Sequence, residues 1–245
     1  MITLDSIETE FGTITIFKKK ATSSITYEQG GCSQSEADRN GISLASYVHA
    51  IFGLIIQAKA RKILMIGCAG GTLATMLVQA GIKVTTIDAN PFSFKLAKEY
   101  FCLPEKVECL VADGKSFLCS DTKYYDAIVI DAYHGDHVPA HLKSLAFYYL
   151  VADRLSPKGS VFVNIHVDHD LDRHAVHTAE RLSNVFHDVR LLDAQGKISR
   201  NAIVMAGAVS HLNVPRLILA PSVDSHGIES ELAAMEFCDW RPSFL

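Results

Sequence analysis

Residues 62–73, Lys-Ile-Leu-Met-Ile-Gly-Cys-Ala-Gly-Gly-Thr-Leu, constrain the fold of this chain more than any other stretch. A short apolar run closes on a glycine-rich turn and passes directly into helix-forming sequence. The run 63–66 has charge on one side and Gly67 on the other, the pattern of a strand buried on both faces of a parallel sheet. Gly67, Gly70 and Gly71 let the backbone turn sharply and approach a ligand with no Cβ in the way. The turn does not fit G-x-G-x-x-G, because Ala69 stands at the second glycine, and it is not a P-loop, because no lysine follows Gly71. It outlines a nucleoside site without a pyrophosphate, although turn geometry alone also selects glycine after a strand.

The surrounding pattern decides the fold class. Apolar, β-rich runs at 84–87, 107–111, 125–130 and 160–165 alternate with helical periodicity over 91–101 and 140–155. Repeated βα units joined by right-handed crossovers predict an α/β fold with a doubly wound, mainly parallel sheet covered by helices on both faces. Asn90 can cap a helix with Pro91 at its first position, and Pro157-Lys158-Gly159 reads as the turn from a helix into the next strand. Residues 168–186 read as a helix. Runs 189–192 and 202–206, around the turn 194–197, bring the sheet to seven strands and close it with a hairpin edge.

The first 41 residues follow a different grammar. Runs 13–17 and 24–27 around Lys18-Lys19-Lys20 predict a small β-hairpin, a lid or dimer arm, ahead of a helix over 42–56. The lysines read as a solvated strand edge that blocks edge-to-edge pairing. The organisation expected is an arm at 1–41, a catalytic domain at 42–209, and a tail at 210–245 whose Pro215, Pro221 and Pro242 punctuate short surface helices.

Composition narrows the partners. With 23 basic against 27 acidic residues the net charge is −4, which offers no general attraction to nucleic acid or an anionic membrane. Hydrophobic residues make up 49% of the chain, yet every apolar run breaks off before the ~20 residues of a membrane span. Glu8 and Glu10 stand where a signal peptide would be basic and then apolar, which places the protein in the cytoplasm. Six cysteines without C-x-x-C spacing read as small core residues of a reducing compartment.

In a doubly wound sheet a ligand lies at the carboxyl ends of the strands, where the strand order reverses. The residues there are Gly67, Cys68, Ala69, Gly70 and Gly71, then Asp88-Ala89, then Asp113-Gly114, then Asp131. Asp88 is placed to accept hydrogen bonds from ribose hydroxyls, Asp113 from an exocyclic amine, and Gly114 leaves room for a flat ring. Both acids have a competing role, since Asp after a strand often caps the following helix.

In this order the motifs resemble the spermidine synthase-like branch of the class I S-adenosylmethionine-dependent methyltransferases. The quoted residues are the glycine turn, Asp88-Ala-Asn-Pro91, Val111-Ala-Asp-Gly114 with Phe117-Leu118, and Ile130-Asp131 followed by Pro139-Ala140 and Phe147-Tyr148. The resemblance covers about residues 31–165 and implies that branch's Rossmann-like sheet. It implies that Asp88 holds the ribose and Asp113 the adenine amine, and that the turn holds the methionine part of S-adenosylmethionine or its decarboxylated form. Gly31-Cys-Ser-Gln34 is similar to the branch's Gly-x-x-Gln, whose glutamine lines the cofactor's tail. A homodimer through the N-terminal hairpin is implied in the same way.

Three departures bear on the reaction. The branch's glycine loop is longer and carries an Asp that is missing here. Its Asp-Glu pair ahead of a lid tyrosine becomes Ser43-Leu44 ahead of Tyr47, and its second catalytic-loop aspartate becomes His134. Two ammonium groups without counter-charges would cost several kcal/mol, so putrescine is a poor substrate on this reading. The short loop is instead like that of members taken to transfer methyl. Methyl transfer to a small or medium-sized acceptor therefore comes first, ahead of aminopropyl transfer, of transfer or cyclisation of the aminocarboxypropyl arm, and of a noncatalytic binding scaffold.

Asp131 is then the best-placed proton acceptor. His134, with an ordinary pKa near neutrality, is the next, and Tyr133 is placed to stack on or orient the acceptor. A metal site is not expected. His137 and His141, and Asp170 and His174, stand four apart, but catalytic zinc needs three convergent ligands and Pro139 disfavours a helix through the first pair.

Overall fold

The computed structural model describes residues 1–240, so Pro242 lies outside the described residues. The chain opens with β1 (Ile2–Ile7), β2 (Ile14–Lys18), β3 (Ile25–Gln29) and β4 (Cys32–Ala37), paired in sequence as a four-stranded antiparallel sheet. The expected hairpin is its central pair. β4, Cys-Ser-Gln-Ser-Glu-Ala, has no apolar alternation to announce it and exists through its pairing with β3.

The α/β part follows as α1 (Ser46–Gln57), β5 (Lys62–Ile66), α2 (Thr72–Gln79), β6 (Lys83–Asp88), α3 (Pro91–Tyr100), β7 (Glu108–Val111), α4 (Gly114–Ser120), β8 (Tyr125–Ile130), α5 (Leu145–Asp153), β9 (Leu155–Val167), α6 (His174–Leu182), β10 (Val189–Asp193), β11 (Arg200–Gly207), α7 (Ser225–Ala233) and β12 (Glu236–Cys238). The sheet order is β12-β10-β11-β9-β8-β5-β6-β7, parallel from β9 to β7 and antiparallel beyond β9. The seven expected strands are present and β12 adds an eighth, so the β10–β11 hairpin is one strand in from the edge. Successive residues of β5 serve opposite faces: Ile63 and Met65 pack with α1 and α2 residues such as Leu54 and Met76, whereas Leu64 and Ile66 pack with Phe147 and Val163.

Local capping overrides two of the expected helices. The periodicity over 140–155 is broken at Ser144, whose Oγ accepts from the Phe147 amide at 3.2 Å and starts α5 afresh after a short 3-10 turn, Ala140–Lys143. Residues 168–173 stay out of α6 because the Asp172 carboxylate accepts from both the Asp168 and His174 amides, at 3.1 and 2.8 Å. Pro157-Lys158-Gly159 is not a helix-to-strand turn but part of a bulge inside β9, where the register against β8 jumps from Leu155 to Ser160. The tail forms α7 and β12 rather than helices alone. Of the cysteines, Cys68 is buried while Cys102 and Cys119 are exposed, which corrects the reading of a shared core role.

Asn90 does start α3. Its Oδ1 accepts from the Phe92 amide at 3.1 Å, with Pro91 at the first helical position, and its Nδ2 donates to Thr9 Oγ1 in the β1–β2 connection at 3.3 Å. Asn90→Ala is expected to lower unfolding free energy by about 1 kcal/mol, measured by urea titration. No helix among the described residues is long and apolar enough to cross a membrane.

Candidate functional site

The strand order reverses between β5 and β8, and the glycine turn leaves β5 at that point. Gly67, Ala69 and Gly71 have φ of +101°, +46° and +65°, so the turn folds back on itself within five residues, 67–71. Asp88, at the end of β6, anchors it by accepting from the Cys68 amide at 2.9 Å and the Asn90 amide at 2.8 Å. Burial raises the pKa of Asp88 above its ordinary value, against the pull of these amides. Next to it Ile66, Ile87, Ala112, Pro139 and Leu142, with Gly114, line an apolar slot of the cleft.

At the far end of the slot Asp113 takes the role that competed with amine recognition. Its Oδ1 accepts from the Ser116 amide at 2.9 Å, capping α4, while Oδ2 meets His141 Nε2 at 2.6 Å. Burial works to raise its pKa, but the Ser116 amide and His141 together hold it below the ordinary value. The slot's polar edge is thus an Asp113–His141 pair rather than a free carboxylate.

Asp131, at the end of β8, lies where this cleft meets a second cavity of about 480 Å³. Its Oδ1 accepts from Asn164 Nδ2 at 2.8 Å and its Oδ2 from the Tyr47 hydroxyl at 3.2 Å. Asn164 is itself oriented by Asn201, whose Nδ2 donates to Oδ1 at 2.9 Å. Burial raises the Asp131 pKa above its ordinary value, with Asn164 and Tyr47 opposing the shift. The Tyr133 hydroxyl is committed to β9, accepting from the His166 amide at 2.8 Å and donating to the Asn164 carbonyl at 3.2 Å, which anchors its loop. His134 packs against Phe11 of the β1–β2 connection, ring centroids 4.9 Å apart, and burial lowers its pKa. Gln34 Nε2 donates to the Gly135 carbonyl at 2.8 Å, joining β4 to the same loop.

The structure therefore brings Gln34, Gly67, Cys68, Ala69, Asp88, Ala89, Asp113, Gly114, Asp131, Tyr133 and His134 to one cleft. Gly70 and Gly71 are not among its lining residues; a Cβ on the first would meet Ser35 and Phe101 at 2.9 Å, and one on the second Leu103 at 2.8 Å. They serve the packing of the turn. The spaced histidines go elsewhere: His141 to Asp113, His174 to Asp172 at 3.0 Å, while Asp170 pairs with Arg200 at 3.0 Å. Sequence reasoning missed Asn164, Asn201 and His141. Asn164 had left a signal, as the one polar residue in the apolar run 161–165.

No family model matches the chain. A probable polyamine aminopropyl transferase of Bifidobacterium longum is 28% identical over 132 residues, 53% of this chain, and a polyamine aminopropyltransferase of Chromobacterium violaceum is 29% identical over 168 residues, 66% of it. These stretches span only 30% and 62% of the two relatives' own lengths. The solved structure of a probable spermidine synthase from Corynebacterium glutamicum matches with a TM-score of 0.77 at 19% identity, covering 96% of this chain and 90% of that one. The fold is that of the spermidine synthase-like branch of class I S-adenosylmethionine-dependent methyltransferases.

Proposed function

We propose that the protein transfers an aminopropyl group from decarboxylated S-adenosylmethionine to an amine, in keeping with the aminopropyl transfer for which the two relatives above are named. This reverses the order in which the sequence alone ranks the two transfers. The observation that carries the choice is electrostatic: Asp131 stands at the junction of the two cavities, and neither contains a Lys or Arg among its described lining residues. A donor that kept its carboxylate would set a negative charge near Asp131 with no cation to offset it. The decarboxylated donor keeps the ammonium, loses the carboxylate and so brings no such negative charge.

The residues fit the remaining parts of such a donor. The apolar slot suits a flat base, with the Asp113–His141 pair at its polar edge. Asp88, half-buried with oxygens already aligned by backbone amides, suits the ribose hydroxyls, and Gln34 with the turn suits the arm. The donor's sulfonium supplies an electrophilic carbon, so the protein has to align the amine and remove its proton. Asp131 is the proton acceptor; its raised pKa brings it closer to the range in which a base is both ionised and effective. Tyr133 holds the loop, and His134 roofs the nucleoside side with Phe11.

Methyl transfer remains as a second reading because, by the resemblance, His134 falls where the branch carries its second catalytic aspartate. Product analysis separates the readings. With decarboxylated donor and a panel of amines, release of methylthioadenosine is expected, together with a donor affinity at least about tenfold above that for intact S-adenosylmethionine, a difference of 1.4 kcal/mol. Release of S-adenosylhomocysteine from the intact donor would give precedence to methyl transfer, and donor binding without either product would support a scaffold.

A further inference from the structure

The second cavity narrows the class of acceptor. Three carboxylates line it, Asp131, Glu36 and Asp136, yet they are not equivalent. Glu36 Oε2 accepts from Lys19 Nζ at 2.7 Å and Oε1 from Ser24 Oγ at 2.7 Å, so its charge is matched and both oxygens are engaged. The Asp136 side chain is 87% exposed and faces His137 Nδ1 at 3.2 Å, so water and an imidazole screen it. Asp131 alone is held by neutral groups, the Asn164 amide and the Tyr47 hydroxyl. Around it the walls offer uncharged hydrogen-bonding side chains, Ser33, Ser199 and Asn201 among them, and the one imidazole, His166, adds no negative charge. Leu44, Ala45, Tyr47, Ser199 and Asn201 also line a third cavity of about 240 Å³, whose charged lining residues are Lys197, Arg200 and Glu231, so there is room for a body beyond the reacting amine.

We infer that the acceptor carries a single ammonium, met by Asp131, on a neutral body bearing hydroxyl or amide groups, and is not a diamine dication. The inference rests on the aminopropyl reading and specifies its substrate class. A second ammonium would be desolvated in the second cavity, where Glu36 is already matched and Asp136 is open to water, and the exposed Glu231 lies only beyond it in the third cavity. A hydroxyl or amide at the same place finds partners at no such cost. In the transfer, the Asp131 carboxylate takes one proton from the acceptor's ammonium. The freed nitrogen lone pair forms a bond to the propyl carbon as that carbon's bond to sulfur breaks, and the sulfur keeps the electron pair and leaves as neutral methylthioadenosine. The positive charge passes from sulfur to the new secondary ammonium, and Asp131 returns its proton to solvent.

The test measures methylthioadenosine release by the whole chain from decarboxylated donor with 1,4-diaminobutane, 4-aminobutan-1-ol and 4-aminobutanamide, which differ only at the far end. The expected kcat/KM for the alcohol and the amide exceeds that for the diamine by at least about tenfold, the worth of one unmatched charge at 1.4 kcal/mol. A diamine used as well as or better than the other two overturns the acceptor class and leaves the transfer reading standing. No methylthioadenosine from any of the three overturns both. Lys19→Ala, which frees Glu36 at a half-exposed surface pair, supplies an independent readout. It is expected to shift the ratio toward the diamine by at least about threefold, in the range of such ion pairs. An unchanged ratio overturns selection by charge.

Discussion

Asp131→Asn is expected to lower kcat by about 10²- to 10⁴-fold, the usual contribution of a positioned base, while the folded state is as stable as wild type or more so. The hydrogen bonds explain why the variant folds. An asparagine there keeps its Oδ1 for Asn164 and can offer its Nδ2 to the Tyr47 oxygen, so neither partner is orphaned. The stability gain follows from the sign of the pKa shift. Burial raises Asp131 above the ordinary carboxylate value, so the folded state holds the proton more tightly than the unfolded chain. Its contribution is fully present below the unfolded pKa, about 4, and is lost as pH rises through the raised folded value. At neutral pH the ionised carboxylate is therefore a net cost that Asn removes. Melting curves from pH 4 to 8 should show the wild type losing ground to the variant across that window. Turnover at the wild-type rate by Asp131→Asn would sink its role as the base.

The same residue shows what sequence reveals and what it hides. The place of Asp131 in the cleft was legible because β8 is an apolar run followed by an acid, and a doubly wound sheet gathers such strand ends at one crevice. Asp88 and the glycine turn were legible for the same reason, since each lies within a few residues of a run whose period is plain. The groups that decide the chemistry of Asp131 come from far along the chain, Tyr47 on α1, Asn164 on β9 and Asn201 on β11, and no local pattern relates them. Asp113 illustrates an ambiguity that spacing does not resolve. Capping and ligand recognition need the same residue at the same place, and only the approach of His141 from another loop shows how its second oxygen is used.

Charge matching was hidden in the same way. The resemblance implies acids where Ser43-Leu44 and His134 stand, but three carboxylates still reach the second cavity. Whether they count depends on Lys19 across the N-terminal sheet and on exposure at Asp136. β4, which carries Glu36 and Gln34 to the site, is a polar strand that only its neighbours stabilise. The broken helices at Ser144 and Asp172 show side-chain hydrogen bonds prevailing over a weak periodic signal.

Gly67→Ala is expected to cost more than about 3 kcal/mol and to abolish donor binding, because two separate penalties fall on one position. The first is conformational: φ is +101°, a region that L side chains rarely adopt. The second is steric and larger. A Cβ on Gly67 would lie 2.0 Å from the Asp131 carbonyl oxygen and 2.6 Å from its carbonyl carbon, which are backbone atoms unable to rotate away. Relief requires β5 and β8 to separate at their carboxyl ends, where Asp131 N donates to the Ile66 carbonyl at 2.9 Å and where both cavities meet. Gly81→Ala is the control, since its φ is +76° but nothing lies within 4 Å of the added carbon. It should pay the conformational penalty alone, about 1–2 kcal/mol, and bind donor normally. Thermal unfolding and donor titration of the two variants side by side separate the penalties. If Gly67→Ala melted with Gly81→Ala and still bound donor, the close approach of the two strands would not be what requires glycine at the turn.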